Sequence, residues 1–202
     1  MFDSHCHIGI KSNKGYVCTS KIEEYPFSSN FKYFSCGLLP GEEGDISLLE
    51  EWAKKGFGIG EVGLDRRFGE KEKQIKRFIL AIKIAKKYDA LLTIHAVGMT
   101  DLLLSILKEE KPRRFIVHSF SSSTEVAKEI MKLGGVISLS PNVEKTKHFN
   151  SLVSSLPYFL TETDLPTGEE EEKVLKEWNK KLSIMLEKDI EKESEELFFK
   201  IF

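Results

Sequence analysis

Residues 57–95 read FGIGEVGLDRRFGEKEKQIKRFILAIKIAKKYDALLTIH, and the fold turns on how this stretch is divided. It opens with a short apolar run, FGIGEVGL, and closes with another, LLTIH. Between them, from Glu70 to Lys87, Ile75, Phe78, Ile79, Ile82 and Ala85 fall at i, i+3, i+4, i+7 and i+10, which is one face of an α-helix. A strand, a helix and a second strand in this order predict two parallel strands joined by a right-handed crossover.

The same alternation extends in both directions. Six further apolar runs, FDSHCH, GYVCTS, KYFSCGLL, RFIVHSF, GGVISLS and YFLTETD, raise the count of expected strands to eight. Helical periodicity covers Ile46 to Lys55, Thr100 to Lys108, Thr124 to Leu133 and the terminal Glu169 to Phe202. Gly134 stands where the third of these needs a left-handed terminator. Eight alternating strands predict closure into a (β/α)8 TIM barrel, with an open doubly wound sheet as the alternative. At 202 residues the chain is shorter than the roughly 250 typical of the barrel, and Ile8 to Phe31 leaves little room for helices. The expectation is therefore one domain over residues 1–202, a compact barrel with its early helices pared to loops. The run Glu169 to Glu172 reads as a solvated first turn, where carboxylates suit the helix dipole.

Composition narrows the function. Thirty basic against 32 acidic residues give a net charge of −2, so no global field draws in nucleic acid and a polyanion would need a local patch. Cys6, Cys18 and Cys36 are odd in number and lack C-x-x-C spacing, which reads as reduced thiols. No run of eighteen apolar residues and no leader pattern is seen, which predicts a cytoplasmic protein without membrane contact.

Chemistry concentrates at the strand ends. Of five histidines, His5 and His7 lie on the first strand, His95 ends LLTIH and His118 follows RFIV, leaving only His148, read as a surface residue. Two carboxylates share the position, Glu61 in GIGEVGLD and Asp164 in LTETDLP. A parallel barrel gathers these ends onto its carboxyl rim, where active sites of this fold lie. Each residue alone could be a capped or backbone-bonded group. As a set they would carry a large desolvation cost that divalent cations relieve. Four imidazoles and two carboxylates exceed one tetrahedral zinc with an open position and suit two metals sharing a bridge.

DSHCH, GEVGLD, the Ile94-His95 strand end, VHSFS and ETDLP, in this order, resemble the successive signatures of TatD-type metal-dependent hydrolases of the amidohydrolase superfamily. The similarity runs from Phe2 to about Pro166. It implies two divalent ions, Mg²⁺, Mn²⁺ or Zn²⁺, bound by His5, His7, Glu61, His95, His118 and Asp164, with Glu61 as the bridge. It also implies deoxyribonuclease activity of the 3′ to 5′ exonuclease kind; the pared mouth, for its part, is expected to favour single-stranded or frayed DNA ends. Asp164 and Glu61 are the catalytic candidates, Asp164 as general base as well as ligand. Glu162 and Asp65 are expected to orient ligand imidazoles through their N–H groups.

The chain departs from the family where substrate would be held. Gly37-Leu38-Leu39-Pro40 stands in place of Gly-x-His-Pro, His95 is followed by Ala96 and Val97 without the usual basic residue, and TGEEEE follows Pro166. Replacement phosphate contacts are sought in loops that follow strands: Lys11, Lys14, Arg66 and Arg67, then Lys145 and Lys147. Lys111, Arg113 and Arg114 precede a strand and are expected on the opposite face. The leading expectation is cleavage of DNA or another phosphodiester, with no obligate protein partner. The altered shell keeps a small-molecule amidohydrolase or phosphatase as the alternative, and a noncatalytic metal-binding or scaffold protein as a second.

Overall fold

The structure is a computed structural model and describes residues 1–10 and 14–202. Each apolar run folds as one strand: β1 (Asp3–Cys6), β2 (Gly15–Cys18), β3 (Tyr33–Cys36), β4 (Gly58–Asp65), β5 (Leu92–Val97), β6 (Phe115–Val117), β7 (Val136–Leu139) and β8 (Leu160–Thr161). They pair in chain order, and every pairing is parallel. The open-sheet alternative fails at the seam. There the residues after β8 return to β1, with Asp164 N donating to His5 O at 3.1 Å, His7 N to Leu165 O at 2.8 Å and Thr167 N to His7 O at 3.0 Å. The fold is a nearly closed TIM barrel.

The crossovers show the expected economy. Between β2 and β3 runs a 3-10 helix, Ile22–Asn30, with Pro26 inside it. Between β3 and β4 a 3-10 turn, Ile46–Leu48, leads into α1 (Leu49–Lys54), so the stretch 46–55 is helical but only its second half is α. Full helices follow: α2 (Lys71–Tyr88), α3 (Thr100–Glu110), α4 (Thr124–Lys132), the short α5 (Phe149–Ser155), α6 (Glu169–Leu186) and α7 (Ile190–Ile201). Gly134 takes φ 87° past the end of α4, the left-handed turn its position predicted. Among the described residues no helix is long and apolar enough to cross a membrane.

Two expectations need correction. The periodic stretch 169–202 is two helices, because Glu187 turns left-handed at φ 55° and Asp189 caps a new start, accepting from Lys192 N at 3.1 Å. The break lets α7 fold back across the amino end of the barrel. Phe198 is wholly buried there, its ring 4.6 Å from Phe2 and 5.3 Å from Tyr16 between centroids. The run Glu169 to Glu172 is also not uniformly solvated, since Glu171 is 4% exposed and faces the buried Asp3. Asp3 in turn ties the seam: its carboxylate accepts from His5 N at 3.0 Å and from Thr163 N at 3.2 Å. Burial pushes the Asp3 and Glu171 carboxyls above their ordinary range.

Candidate metal centre

Closure brings His5, His7, Glu61, His95, His118 and Asp164 to one end of the barrel. Residues 5 and 7 are two apart on an extended segment and share a face. Cys6 turns to the other face, where its thiol donates to Tyr16 O at 3.5 Å. Glu61 sits midway along β4, His95 lies in the second half of β5, His118 directly follows β6, and the left-handed turn after β8 supplies Asp164, at φ 62°.

Glu61 sits between two donor groups. Its Oε2 lies 3.8 Å from His5 Nε2 and 3.6 Å from His7 Nε2, and Asp164 Oδ1 approaches the same two nitrogens at 3.5 and 3.1 Å. Its Oε1 lies 2.7 Å from His118 Nε2 and 3.3 Å from His95 Nδ1. The sets His5, His7, Glu61 and Glu61, His95, His118 each gather their donor atoms within 4.8 Å, as does a third, His5, His118, Glu162. His5 and His118 stack, with ring centroids 4.0 Å apart.

The donor set fits divalent cations on one telling detail. His5 is fully buried, yet neither of its ring nitrogens makes a hydrogen bond. Its Nε2 faces two carboxylates just beyond bonding distance. Such a buried, unsatisfied nitrogen costs free energy unless something shared sits among these atoms. Without a cation the site balances its charge with protons. Burial opposes ionisation of both Glu61 and His118, but their contact outweighs it, holding the Glu61 carboxyl well below and the His118 imidazole well above its ordinary range. The Asp164 carboxyl is likewise held low against its burial by the nearby His5 and His118 rings and by the bond from His7, so it is ionised at neutral pH. Burial and the neighbouring His118 lower His5, whereas the bond to Asp164 raises His7 despite burial.

Asp65 and Glu162 stand behind these groups. Asp65 Oδ2 meets His95 Nε2 at 2.9 Å, leaving Nδ1 aimed at Glu61. Glu162 accepts from Ser119 N at 2.7 Å and from the Ser138 hydroxyl, and lies 3.7 Å from His118 Nδ1, longer than a hydrogen bond. Sequence reasoning passed over Ser20, whose hydroxyl donates to Glu61 Oε2 at 3.2 Å. It ends the run GYVCTS, and the strand-end rule applied to the histidines would have found it.

The basic residues separate. Arg67 bonds back to Asp65, Nε lying 2.9 and 3.0 Å from its two oxygens. Arg66 is exposed and lies against Gly98. Lys14 pairs with Glu172 at 3.3 Å, Lys145 bonds Asn142 at 2.8 Å, and Lys147 is exposed. Lys11 lies outside the described residues. On the opposite end Arg114 donates to Phe202 O at 2.6 Å, and Arg113 and Arg114 approach Asp89 at 3.9 and 3.5 Å. His148, expected on the surface, is half-buried and borders a cavity, because α5, which the sequence pattern did not reveal, begins there.

A nearly closed (β/α)8 barrel with imidazoles and carboxylates converging on its carboxyl rim defines a barrel protein built to bind cations. The chain belongs to the TatD family: the family model described as TatD related DNase matches residues 9–198. It is 29% identical over 147 residues to the human protein named Deoxyribonuclease TATDN3, covering 68% of this chain and 54% of that one. It is 32% identical over 160 residues to the metal-dependent hydrolase YabD of Bacillus subtilis, named as uncharacterized, covering 72% and 61%. The chain thus spans little more than half the length of these relatives. The crystal structure of the TatD homolog YjjV from Escherichia coli superposes with a TM-score of 0.80 at 21% identity, over 96% of this chain and 93% of that one, a likeness of fold.

Proposed function

We propose that this protein is a metal-dependent hydrolase that uses two divalent ions to cleave phosphodiester bonds, acting on single-stranded or frayed DNA ends with 3′ exonuclease polarity. The observation that carries the reading is Glu61, which offers one carboxylate oxygen to each of two imidazole pairs. His5, His7 and Asp164 would hold one ion, His95 and His118 the other, with Glu61 between. The deoxyribonuclease name of the human relative and the hydrolase name of the bacterial one support the substrate class and the reaction class.

Divalent ions, Mg²⁺, Mn²⁺ or Zn²⁺, would lower the pKa of a bound water from 15.7 toward about 7 and polarise a phosphoryl oxygen. The side chains supply the rest. Asp164 is ionised, and its Oδ2 is not the atom facing His5 and His7, so that oxygen accepts the proton of the attacking water. Asp65 fixes the His95 ring, and Arg67 fixes Asp65. Ser20 steadies Glu61 through its hydroxyl.

The test is metal stoichiometry measured together with hydrolysis. Chelated protein should be inert, and Mg²⁺ or Mn²⁺ should restore cleavage of a short single-stranded oligonucleotide at two metals per chain. Activity confined to monophosphates or cyclic amides would replace the reading with a small-molecule phosphatase or amidohydrolase.

A further inference from the structure

A cavity of about 260 Å³ lies beside the proposed metal centre and is unused by the chemistry above. Its inner wall is Leu103, Val117 and Phe120, all buried, and Ala96 on β5 completes it. Ala96 directly follows His95 and Val117 directly precedes His118, so the wall stands about 3.8 Å along the backbone from two of the proposed ligands. Neighbouring strand residues point to opposite faces, which puts the cavity behind the barrel wall. It opens onto the carboxyl rim at Gly98 and Ser121, both exposed.

The lining specifies a ligand. Among the described residues no lysine, arginine or carboxylate lines it, so the cavity suits a group without net charge. Around the apolar wall stand the hydroxyls of Thr100, Ser121 and Ser122 and the imidazole of His148. Among the described residues these side chains make no hydrogen bond to the protein, leaving their donors and acceptors to an occupant. An aromatic ring and an imidazole beside an apolar inner wall, with a hydrogen-bonding rim, suit a heteroaromatic ring.

We propose that this cavity receives the nucleobase of the terminal nucleotide of the substrate. The inference rests on the phosphodiesterase reading, since on such a substrate the neutral planar group nearest the scissile phosphate is a base. The base would lie against Phe120 and Leu103 with its polar edge on the hydroxyls. An unstacked end can reach over the β5 rim, whereas a base held in a duplex cannot.

The experiment compares two short single-stranded oligonucleotides that differ only in whether the terminal nucleotide carries a base or is abasic. Metal-loaded wild type should cleave the base-bearing end with about tenfold higher kcat/KM, the scale of one base contact. Ser121→Trp, which fills the exposed mouth, should cleave both at the abasic rate with unchanged metal content. His148→Ala should reduce the preference in part. Equal cleavage of both by wild type, or a preference retained in Ser121→Trp, would overturn the base site and leave the phosphodiesterase reading standing. If neither oligonucleotide is cut with Mg²⁺, Mn²⁺ or Zn²⁺, that reading fails, and thymidine binding in chelator decides the cavity alone. A saturable shift of the His148 ring resonances, lost in Ser121→Trp, would support it, and no shift would rule it out.

Discussion

The two roles proposed for Asp164, ligand and general base, can be separated by one substitution. Asp164 faces His5 and His7 at 3.5 and 3.1 Å, where an amide oxygen could still reach a cation but could not take up a proton. Asp164→Asn should therefore keep its metal and lose about 10² to 10⁴ in kcat. Metal analysis beside turnover checks this, and an Asn variant at full speed would leave Asp164 as a ligand only. Asp65 acts at one remove. Asp65→Ala frees the His95 ring to turn, and metal affinity should fall about 10- to 100-fold, the scale found when a carboxylate behind a metal-bound histidine is removed. Arg67→Ala should show a smaller loss of the same kind, because its guanidinium holds Asp65. Isothermal titration with Mn²⁺ reads both, and an unchanged affinity for Asp65→Ala would show that His95 is positioned by something else. The thiols give a contrast. Cys6, Cys18 and Cys36 are buried and unpaired, and burial pushes their pKa up, so the folded protein should resist a thiol-specific reagent that labels all three after unfolding.

At the scale of elements, legibility followed how local the signal is. All eight strands could be read because each is a short apolar run bounded by loop residues, and eight such runs alternating with helices admit few topologies. Helices α2, α3 and α4 could be read from one apolar face each. The division between α6 and α7 could not, since the apolar pattern continues across it and only the left-handed turn at Glu187 and the cap at Asp189 mark it. The six proposed ligands could be nominated from their place at or near the ends of apolar runs, although Glu61 lies midway along its strand. Their second partners were harder, because the bond between Arg67 and Asp65 and the cavity at His148 depend on how side chains turn and where α5 begins. The hidden break matters for stability. It lets Phe198 pack against Phe2 and Tyr16 and close the amino end of the barrel. Phe198→Ala should lower unfolding free energy by about 3 to 5 kcal/mol in urea, with metal stoichiometry at the far rim unchanged. A cost within 1 kcal/mol, roughly that of a surface change, would mean that α7 is an appendage.

The whole molecule separates a stabilising end from a reactive one. Parallel strands force this division, because every loop after a strand opens on one face and every loop before a strand on the other. Arg113 and Arg114, in the densest basic cluster, fall on the amino face, where they pair with Asp89 and Arg114 donates to the carbonyl oxygen of Phe202. On the carboxyl face Arg67 is committed to Asp65 and Lys14 is paired with Glu172, so among the described residues few cations are left to grip phosphates beyond the scissile one. With a net charge of −2 the molecule supplies no compensating field. Binding of a short single strand should therefore be weak, and its affinity should fall with log salt at a slope near that of one or two phosphate contacts, about 0.7 for each. Arg66→Ala with Arg67→Ala should weaken binding and flatten the slope, while any loss of metal in that double variant comes from Arg67 releasing Asp65. Arg113→Ala with Arg114→Ala should leave both slope and affinity alone and lower only stability. Measuring affinity across a salt series for wild type and both double variants settles the orientation of the substrate. A steep slope that vanishes in the Arg113 and Arg114 variant would place the nucleic acid on the amino face, away from every side chain assigned here to the chemistry.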